Sequence, residues 1–288
     1  MSLALQLLIN GLTLGATLAI VALGLALVFG VMGIVNFLHA EFITVGGYIT
    51  YFLVTRTGAS AVLGVLVAIV VGVLLGFATQ RLVLSRVASR PPLDGLLLTY
   101  GLSVVALGLI TYFFTGDYRS YPAVLGGGIN FAGVQLAWLN VLVAAICVLL
   151  LVITAALLKL TRTGAAIRAA SQHRDAAAAC GIDLRRIDAV AFAIGGGLGA
   201  GAGAVLSMTF VTTPQLGQEW LLLGFVVVVL GGLGSLVGAV IGGLAVGIVQ
   251  VVFGYALDDS FALLIVYLLL FALLLVRPSG LAGKAVAA

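Results

Sequence analysis

The stretch L5-QLLINGLTLGATLAIVALGLALVFGVMG-I34 decides the fold class of this chain, because it contains no charged side chain. A helix needs roughly 20 apolar residues to cross the hydrocarbon core of a bilayer, which is about 30 Å thick. The rest of the 288-residue chain is similar, since 63% of its residues are hydrophobic and only 8% are charged. Soluble domains carry about a quarter charged residues. The chain is therefore predicted to be a helical membrane protein.

Further apolar stretches predict eight or nine transmembrane helices, some of them interrupted. The stretches lie at 5–34, 37–55, 60–80, 95–115, 138–158, 189–212, 218–230, 236–256 and 261–276. We predict an all-α, polytopic integral membrane protein in which residues 1–288 form a single transmembrane domain. The alternation expected of barrel strands is absent, and 39 glycines allow helices to approach closely. The first stretch has neither the basic start nor the cleavage site of a signal peptide, which favours a retained span.

The basic residues predict the orientation of the chain in the membrane. Most Lys and Arg residues fall in the segments 81–90, 159–188 and 277–284. Because cytoplasmic loops of membrane proteins are rich in Lys and Arg, these segments and the C-terminus are predicted to face the cytoplasm. The 116–137 loop is then outside. The 37–55 stretch is short and also fits a re-entrant segment, so the side of the N-terminus stays open.

Two interruptions predict broken helices and a weak internal repeat. They are N36-FLHAE-F42 and V229-LGGLGS-L236, and each precedes a helix with closely spaced glycines. Repeated halves with interrupted helices are typical of transporters whose path lies between the halves. The alternative is that these glycines only permit tight packing. The candidate path residues are Asn36, His39, Glu41, Gly231, Gly232, Gly234 and Ser235.

Polar side chains within the apolar stretches have two interpretations each. A carboxylate such as Glu41 is costly at membrane depth unless it is paired, protonated or hydrated, so it indicates a transport role or a structural role at a helix end. His39 is a candidate partner for it. Asn36 is interpreted as an interhelical hydrogen-bonding group. Glu219, next to Trp220, is interpreted as an anchor at the membrane surface.

Motifs for catalysis or ATP binding are absent from the sequence. The glycines of 231–238 have no following Lys, and G280-LAGK-A285 has the wrong spacing for a phosphate-binding loop. Metalloprotease and nucleophile-elbow motifs are also missing. Cys147 and Cys180 fit neither a disulfide framework nor a metal site. The chain is predicted to be a non-enzyme with no cofactor or metal of its own.

The segment K159-LTRTGAAIRAASQHRDAAAACGIDLRRI-D188, called the polar island below, is the exception to this apolar character. A helix predicted from Ala165 to Cys180 places Arg168, Ser171, Gln172 and Asp175 on one face, with Gly181 ending the helix and Asp183 capping the next one. The remaining surface is mostly alanine, which suits a shallow protein cleft better than lipid. A solvated surface helix is the alternative.

Four segments together resemble a known family, the permease subunits of branched-chain amino acid ATP-binding-cassette importers (the LivH family). They are G11-LTLGATLAIVALGLALVFGVMGIVNFLHAE-F42, R168-AASQHRDAAAACG-I182, V229-LGGLGSLVGAVIG-G243 and R277-PSGLA-G283. Each pattern has modest specificity, but all four occur in the family's order. The chain departs from the family pattern at Leu18, Leu38, Ala40, His173 and Asp183, and the changes around His39 and at Leu18 concern the identity of the substrate.

The resemblance implies a transport subunit in the bacterial inner membrane. Two permease subunits would form the path, as a homologous heterodimer or, alternatively, a homodimer. Two cytoplasmic ATPase subunits would use ATP, and an external solute-binding protein would deliver the substrate. No nucleic acid is implied. The polar island would be the ATPase-coupling segment, through Arg168, Ala169, Ser171, Gln172, Asp175, Ala176, Ala177, Gly181 and Ile182. Another amino acid, an amide or urea is an alternative substrate. An ion-coupled secondary transporter, a channel and a membrane scaffold are alternative classes.

Overall fold

The computed structural model describes residues 2–87, 90–121, 125–131, 134–277 and 280–281, which are mostly helical. The helices are α1 (Ser2–Met32), α2 (His39–Thr57), α3 (Ala61–Leu82), α4 (Pro92–Phe114), α5 (Trp138–Leu160), α6 (Arg162–Gln172), α7 (Arg174–Ala179), α8 (Leu184–Thr209), α9 (Leu216–Gly231), α10 (Leu236–Ala256) and α11 (Asp259–Val276). A short antiparallel hairpin, β1 (Gly128–Phe131) and β2 (Val134–Ala137), lies in the predicted 116–137 loop. Within the predicted C-terminal segment, residues 278–279 and 282–288 lie outside the described part of the chain.

Seven of the described helices are long and apolar enough to cross a membrane, namely α1, α3, α4, α5, α8, α10 and α11. The apolar helix α9 is shorter, with 16 residues, and α2 has 19 residues, among them His39, Glu41 and Arg56. The prediction of a helical, polytopic membrane protein with some interrupted spans is confirmed. The interrupted spans are those that contain α2 and α9.

Contacts between helix ends define two ends of the bundle. At the end that carries the polar island, the Arg174 guanidinium donates to the Val31 carbonyl at 2.8 Å, which places the end of α1 there. Gly234, just after α9, packs against Gly30 near the end of α1, and the Leu281 N–H donates to the Leu230 carbonyl at 2.8 Å, so the ends of α9 and α11 lie at this end too. We call this the island end. At the opposite end, called the far end, the hairpin meets the start of α1, where the Gln135 N–H donates to Gln6 Oε1 at 2.8 Å.

The centre of the bundle is formed by α1 and α8. In the most apolar 18-residue stretches of α1 and α8, 83% and 89% of the residues are buried. In the corresponding stretch of α11 only 11% of the residues are buried. The outer helices α4, α5 and α11 instead expose rows of Leu, Val and Phe side chains. Exposed apolar rows are expected where a helix faces lipid tails, since lipid is as apolar as these side chains.

The segments α1–α3 and α8–α10 form an inverted repeat. Each has a long central helix, an irregular connection of the same length (33–38 or 210–215), a short helix and a glycine-rich helix. α1 runs from the far end to the island end, whereas α8 starts in the polar island and runs the other way. α1 packs against α10 and α9, and α8 packs against α3 and α2. Each repeat therefore packs its central helix on the other repeat's last two helices.

The third helix of each repeat begins with a serine N-cap. Ser60 Oγ accepts the Leu63 N–H at 3.3 Å at the start of α3, and Ser235 Oγ accepts the Gly238 N–H at 3.0 Å at the start of α10. A glycine with positive φ precedes each serine, Gly58 at 67° and Gly234 at 78°.

This symmetry corrects the predicted pairing of the two interruptions. The 229–236 break corresponds to the 58–60 turn, and the counterpart of the 36–42 break is 210–215. The sequence did not reveal that counterpart because 210–215 contains neither glycine nor charge; Pro214 is its one local signal of a helix break.

Several glycines bring these helices into backbone contact. A Cβ on Gly72 would lie 2.4 Å from the Gly196 carbonyl oxygen, and a Cβ on Gly196 would lie 2.4 Å from that of Gly72. A Cβ on Gly247 in α10 would lie 2.3 Å from the Gly15 nitrogen in α1. No side chain fits at such distances. The interpretation of these glycines as packing residues is therefore confirmed at the α3–α8 and α1–α10 crossings.

Candidate functional site

The first turns of α2 and α9 meet inside the bundle. The Thr44 hydroxyl of α2 accepts the Gly217 N–H of α9 at 3.0 Å and lies 3.2 Å from the Ala40 carbonyl, to which it donates. A Cβ on Gly217 would lie 1.8 Å from the Ala40 carbonyl oxygen, so only glycine fits there. Two helices that point to opposite ends thus start side by side.

This meeting point lies near the middle of the membrane-spanning thickness. In α1, which spans the bundle, Gly24 packs against the His39 ring at the start of α2. Gly224 of α9 packs against Val21 and Leu25, also in the middle part of α1. α2 and α9 therefore each cover about half of the thickness, which is the arrangement found around binding sites of transporters built from inverted repeats.

Glu41 and His39 point to different neighbours. Glu41 Oε1 accepts a hydrogen bond from the Ser103 hydroxyl of α4 at 2.9 Å. The His39 ring is fully buried between Gly24 of α1 and Gly199 of α8. The predicted partnership of His39 with Glu41 is wrong, because residues two apart on a helix lie on different faces. Their role in translocation stays a prediction.

Asn36 lines a cavity that opens in the island-end half of the molecule. The cavity has a volume of about 300 Å³ and is otherwise apolar, with Phe37, Phe225 and Val229 among its walls. Asn36 is 2% exposed, and neither of its side-chain amide atoms has a hydrogen-bond partner in the described part of the chain. The predicted interhelical hydrogen bond is therefore wrong. Asn36 instead forms part of the wall of an apolar cavity, with its amide atoms buried.

The predicted site residues at 231–235 are explained by packing and capping. Gly231 contacts Gly238, Gly232 contacts Gly280, and Gly234 contacts Gly30. Ser235 is the cap of α10 already described. Of this segment only Leu233 lines the island-end cavity. A role of the glycines and Ser235 in translocation stays a prediction.

One face of α9 is exposed or half-buried along its length and connects two cavities. The exposed or half-buried residues on this face are Gln215, Glu219, Leu222, Phe225, Val229 and Leu233. Their spacing of three or four residues places them on one stripe, called the α9 stripe below. Beside its first half lies an open cleft of about 830 Å³, lined also by Leu14, Trp220, Gln250, Tyr255 and Tyr267. We call it the far-end cleft. The second half lines the island-end cavity.

Glu219 is not the surface anchor that the sequence predicts. It lies in the first turn of α9, five residues before Gly224, which at 1.5 Å per residue is about 7.5 Å from the level of Val21 and Leu25. That position is near mid-depth. Trp220 is 7% exposed and packs on Phe210 with ring centroids 5.0 Å apart, so its indole faces the protein interior.

The polar island contains two helices instead of the predicted one. α6 ends at Gln172 and α7 starts at Arg174, because His173 adopts an extended conformation with φ −153° and ψ 97°. Asp175 therefore does not continue the face of Arg168, Ser171 and Gln172. Two local predictions are confirmed: Gly181 has a φ of 83°, and Asp183 caps α8 by accepting the Arg186 N–H at 3.2 Å.

Arg174 joins the polar island to the two central helices. Its guanidinium donates to both carboxylate oxygens of Asp188 in α8, at 2.8 and 2.6 Å, and to the Val31 carbonyl at the end of α1. Asp188 is 1% exposed, and the hydrogen bond to it raises the pKa of Arg174. The sequence did not reveal this pair, because the two residues belong to different helices with a turn between them.

The island presents a polar and alanine-lined surface to its surroundings. Ile167, Ala170 and Ala177 are buried against α1 and α8. Of the predicted coupling residues, Ser171, Gln172, Asp175, Ala176 and Gly181 are exposed, and Arg168, Ala169 and Ile182 are half-buried. Ala177 is therefore turned toward the protein itself and is not accessible to a partner.

An inverted repeat with two half-length helices, a stripe that connects cavities in opposite halves and a polar island at one end together define a polytopic permease-type transport protein. The chain belongs to the family described as branched-chain amino acid transport system / permease component, whose model matches residues 7–276.

Named relatives are similar over almost the whole chain. The high-affinity branched-chain amino acid transport system permease protein BraD of Pseudomonas aeruginosa is 30% identical over 97% of this chain and 96% of its own length. The protein LivH of Escherichia coli K12, with the same description, is 28% identical over 97% and 96%. A probable branched-chain amino acid transport permease protein LivH of Methanocaldococcus jannaschii is 26% identical over 92% and 88%. No solved structure matches the chain significantly.

Proposed function

We propose that this protein is the membrane-spanning permease subunit of an ATP-binding-cassette importer for branched-chain amino acids. It moves substrate from an external solute-binding protein to the cytoplasm. Two cytoplasmic ATPase subunits use ATP, and this chain binds no cofactor of its own. A second, homologous permease subunit completes the path as a heterodimer. The family membership and the relatives named above support this assignment.

The α9 stripe is the observation that carries the proposal. It runs from the far-end cleft, which Leu222 lines, to the island-end cavity, which Phe225 lines. A substrate that enters from the far end therefore meets half of a path on this one subunit. Residues of the stripe and Asn36 line that half-path, whereas His39 and Glu41 hold the start of α2 against α1, α8 and α4.

The second permease subunit covers the α9 stripe in this proposal. Glu219 is exposed near mid-depth, where a carboxylate that faced lipid tails would be costly. Irregular backbone at membrane depth, as in 33–38 and 210–215, is tolerated only against protein or water. A partner subunit on this face supplies the protein and encloses the cleft and the cavity between the two subunits.

The polar island is the surface on which an ATPase subunit docks. Its exposed side is made of small and polar groups, among them Ser171, Gln172, Asp175 and Ala176, which fit a shallow protein cleft. Movement of the island is passed to α1 and α8 through the Arg174 contacts with Val31 and Asp188. Since α1 and α8 are the central helices of the two repeats, such movement changes access to the half-path from each end.

The island end faces the cytoplasm of the bacterial inner membrane in this proposal. It holds most of the basic residues, as cytoplasmic loops do, and it also holds Arg277 at the end of α11. The far-end cleft then opens toward the external binding protein.

Reconstitution of the complete importer tests the proposed function. The complex of both permease subunits and both ATPases, placed in proteoliposomes, is supplied with leucine-loaded binding protein. ATP-dependent leucine accumulation is expected, and collapse of ion gradients with ATP preserved should leave it unchanged. Accumulation that follows the ion gradient would favour a secondary transporter. Uptake of another amino acid, an amide or urea in place of leucine would reassign the substrate within the family.

A further inference from the structure

The far-end cleft contains one carboxylate near mid-depth, that of Glu219. Glu219 is exposed, and its carboxylate forms no hydrogen bond or ion pair with any residue in the described part of the chain. Among the described residues that line the cleft there is no Lys, Arg or His, and the other acidic residue, Asp259, lies at the start of α11 at the far end. A negative charge is therefore presented at the inner part of a cleft without a counter-charge from this subunit.

We infer that the Glu219 carboxylate binds the protonated amine of the amino acid as it enters the half-path. This inference rests on the proposed function and assigns to one residue the part of the substrate that it recognises. An ionisable group within a membrane is a functional candidate when its partner can be named. Here the partner is the positive charge that every zwitterionic amino acid carries.

The remaining walls of the cleft fit an organic cation with an apolar side chain. Tyr255 and Tyr267 offer aromatic faces, which attract organic cations. Leu14, Leu222 and Leu223 form an apolar surface next to Glu219. A divalent metal ion fits less well, because Ca²⁺ and Mg²⁺ require roughly six or more oxygen ligands and the inner part of the cleft has one carboxylate.

The start of α9 does not offer free donors for the carboxylate of the substrate. The N–H groups of its first turn already have partners: Leu216 bonds the Thr213 carbonyl at 3.2 Å, and Gly217 bonds the Thr44 hydroxyl at 3.0 Å. The N–H groups of Gln218 and Glu219 donate to the Gln215 carbonyl at 2.9 and 3.3 Å. This site therefore recognises the amine and contributes little to binding of the carboxylate.

That asymmetry is measurable with fragments of leucine. Isoamylamine is leucine without its carboxylate, and isocaproate is leucine without its amine. In the purified complex of both permease subunits and both ATPases, without binding protein, isoamylamine should displace radiolabelled leucine at least tenfold better than isocaproate. Glu219→Gln should remove this preference and weaken leucine binding at least tenfold, whereas Glu219→Asp should keep the preference.

Transport gives the second readout. With saturating leucine-loaded binding protein, Glu219→Gln should lower turnover at least tenfold, and Glu219→Asp should lower it less. Asp94→Asn is the control: it removes one half-buried carboxylate at the island end, which pairs with Arg90 at 3.8 Å, and should leave turnover within twofold of the wild type. If the wild-type complex transports leucine but binds too little for the fragment assay, turnover of the Gln variant decides alone.

The inference is overturned if Glu219→Gln transports and binds leucine like the wild type. It is also overturned if the variant loses activity because the second permease subunit no longer co-purifies, since Glu219 would then pair with a cation of that subunit. Absence of amino acid transport by the wild-type complex contradicts the proposed function instead. The two failures are therefore distinguishable.

Discussion

Arg174 and Asp188 form a bidentate ion pair that ties the polar island to the buried start of α8, and the same guanidinium bonds the Val31 carbonyl at the end of α1. One side chain thus contacts the central helix of each repeat. Removal of one partner from a buried pair leaves an uncompensated charge, which costs about 3–5 kcal/mol in fully buried cases. The Arg174 side chain is 34% exposed, so the lower part of that range applies.

Arg174→Ala is expected to lower the free energy of unfolding by about 3 kcal/mol, because Asp188 loses its counter-charge. Thermal unfolding of the purified protein in detergent measures this effect. Arg162→Ala is the matched control, since Arg162 is exposed on the same island and should leave the melting temperature unchanged. Equal melting temperatures for the two variants would refute a stabilising role of the pair.

Ala176→Glu should abolish ATP-driven transport while the protein still inserts and melts normally. Ala176 is exposed on the island, so a bulky charge there blocks docking of an ATPase subunit without disturbing the fold. Uptake in proteoliposomes and co-purification of the ATPase measure the two steps.

Ala177→Glu provides the contrast, because Ala177 is buried against α1 and α8 and the same charge there should destabilise the permease itself. Normal uptake by the Ala176 variant would exclude this surface as the docking site.

Gly196→Ala is expected to destabilise the α3–α8 crossing by about 1–3 kcal/mol, the usual cost of overpacking. The new methyl group would lie 2.4 Å from the Gly72 carbonyl oxygen, so the two backbones must separate. Gly108→Ala is the control, since nothing lies within 4 Å of its added methyl group. Thermal unfolding should separate the two variants, and similar stability would show that the crossing tolerates a wider spacing.

Asn36→Leu should raise thermal stability and lower transport at the same time. A buried amide without a partner costs about 1–3 kcal/mol, and an apolar side chain removes that cost. If Asn36 serves the substrate in the island-end cavity, the stabilised variant should lose turnover. Parallel melting and uptake measurements test this. Unchanged uptake by a stabilised variant would leave Asn36 without a transport role.

The sequence was sufficient for those parts of the fold that depend on local patterns. The apolar stretches located the long helices, and the positive-φ glycine and capping carboxylate at Gly181 and Asp183 were predicted correctly. These features depend on propensity and capping within a few residues. The glycine-rich helices were also recognised, although the helices they contact were not.

The parts that the sequence did not reveal depend on contacts between distant segments. His173 splits the island helix, yet its local sequence is compatible with a continuous helix. Glu219 lies next to Trp220 in a pattern typical of a membrane surface, and only the position of α9 against α1 places it near mid-depth. The bond from Ser103 to Glu41 joins residues of two helices whose pairing no spacing rule encodes.

The inverted repeat has a consequence for how the chain is inserted during synthesis. Neither α1 nor the 33–38 connection carries an Asp, Glu, Lys or Arg, so the central helix of the first repeat has no charge signal of its own for its direction. The second repeat begins directly after the six basic residues of the polar island. The orientation of α1 therefore depends on basic residues that leave the ribosome after it, first those of 81–90 and then those of the polar island, so the direction of the first central helix is fixed only after the helices that follow it have been made.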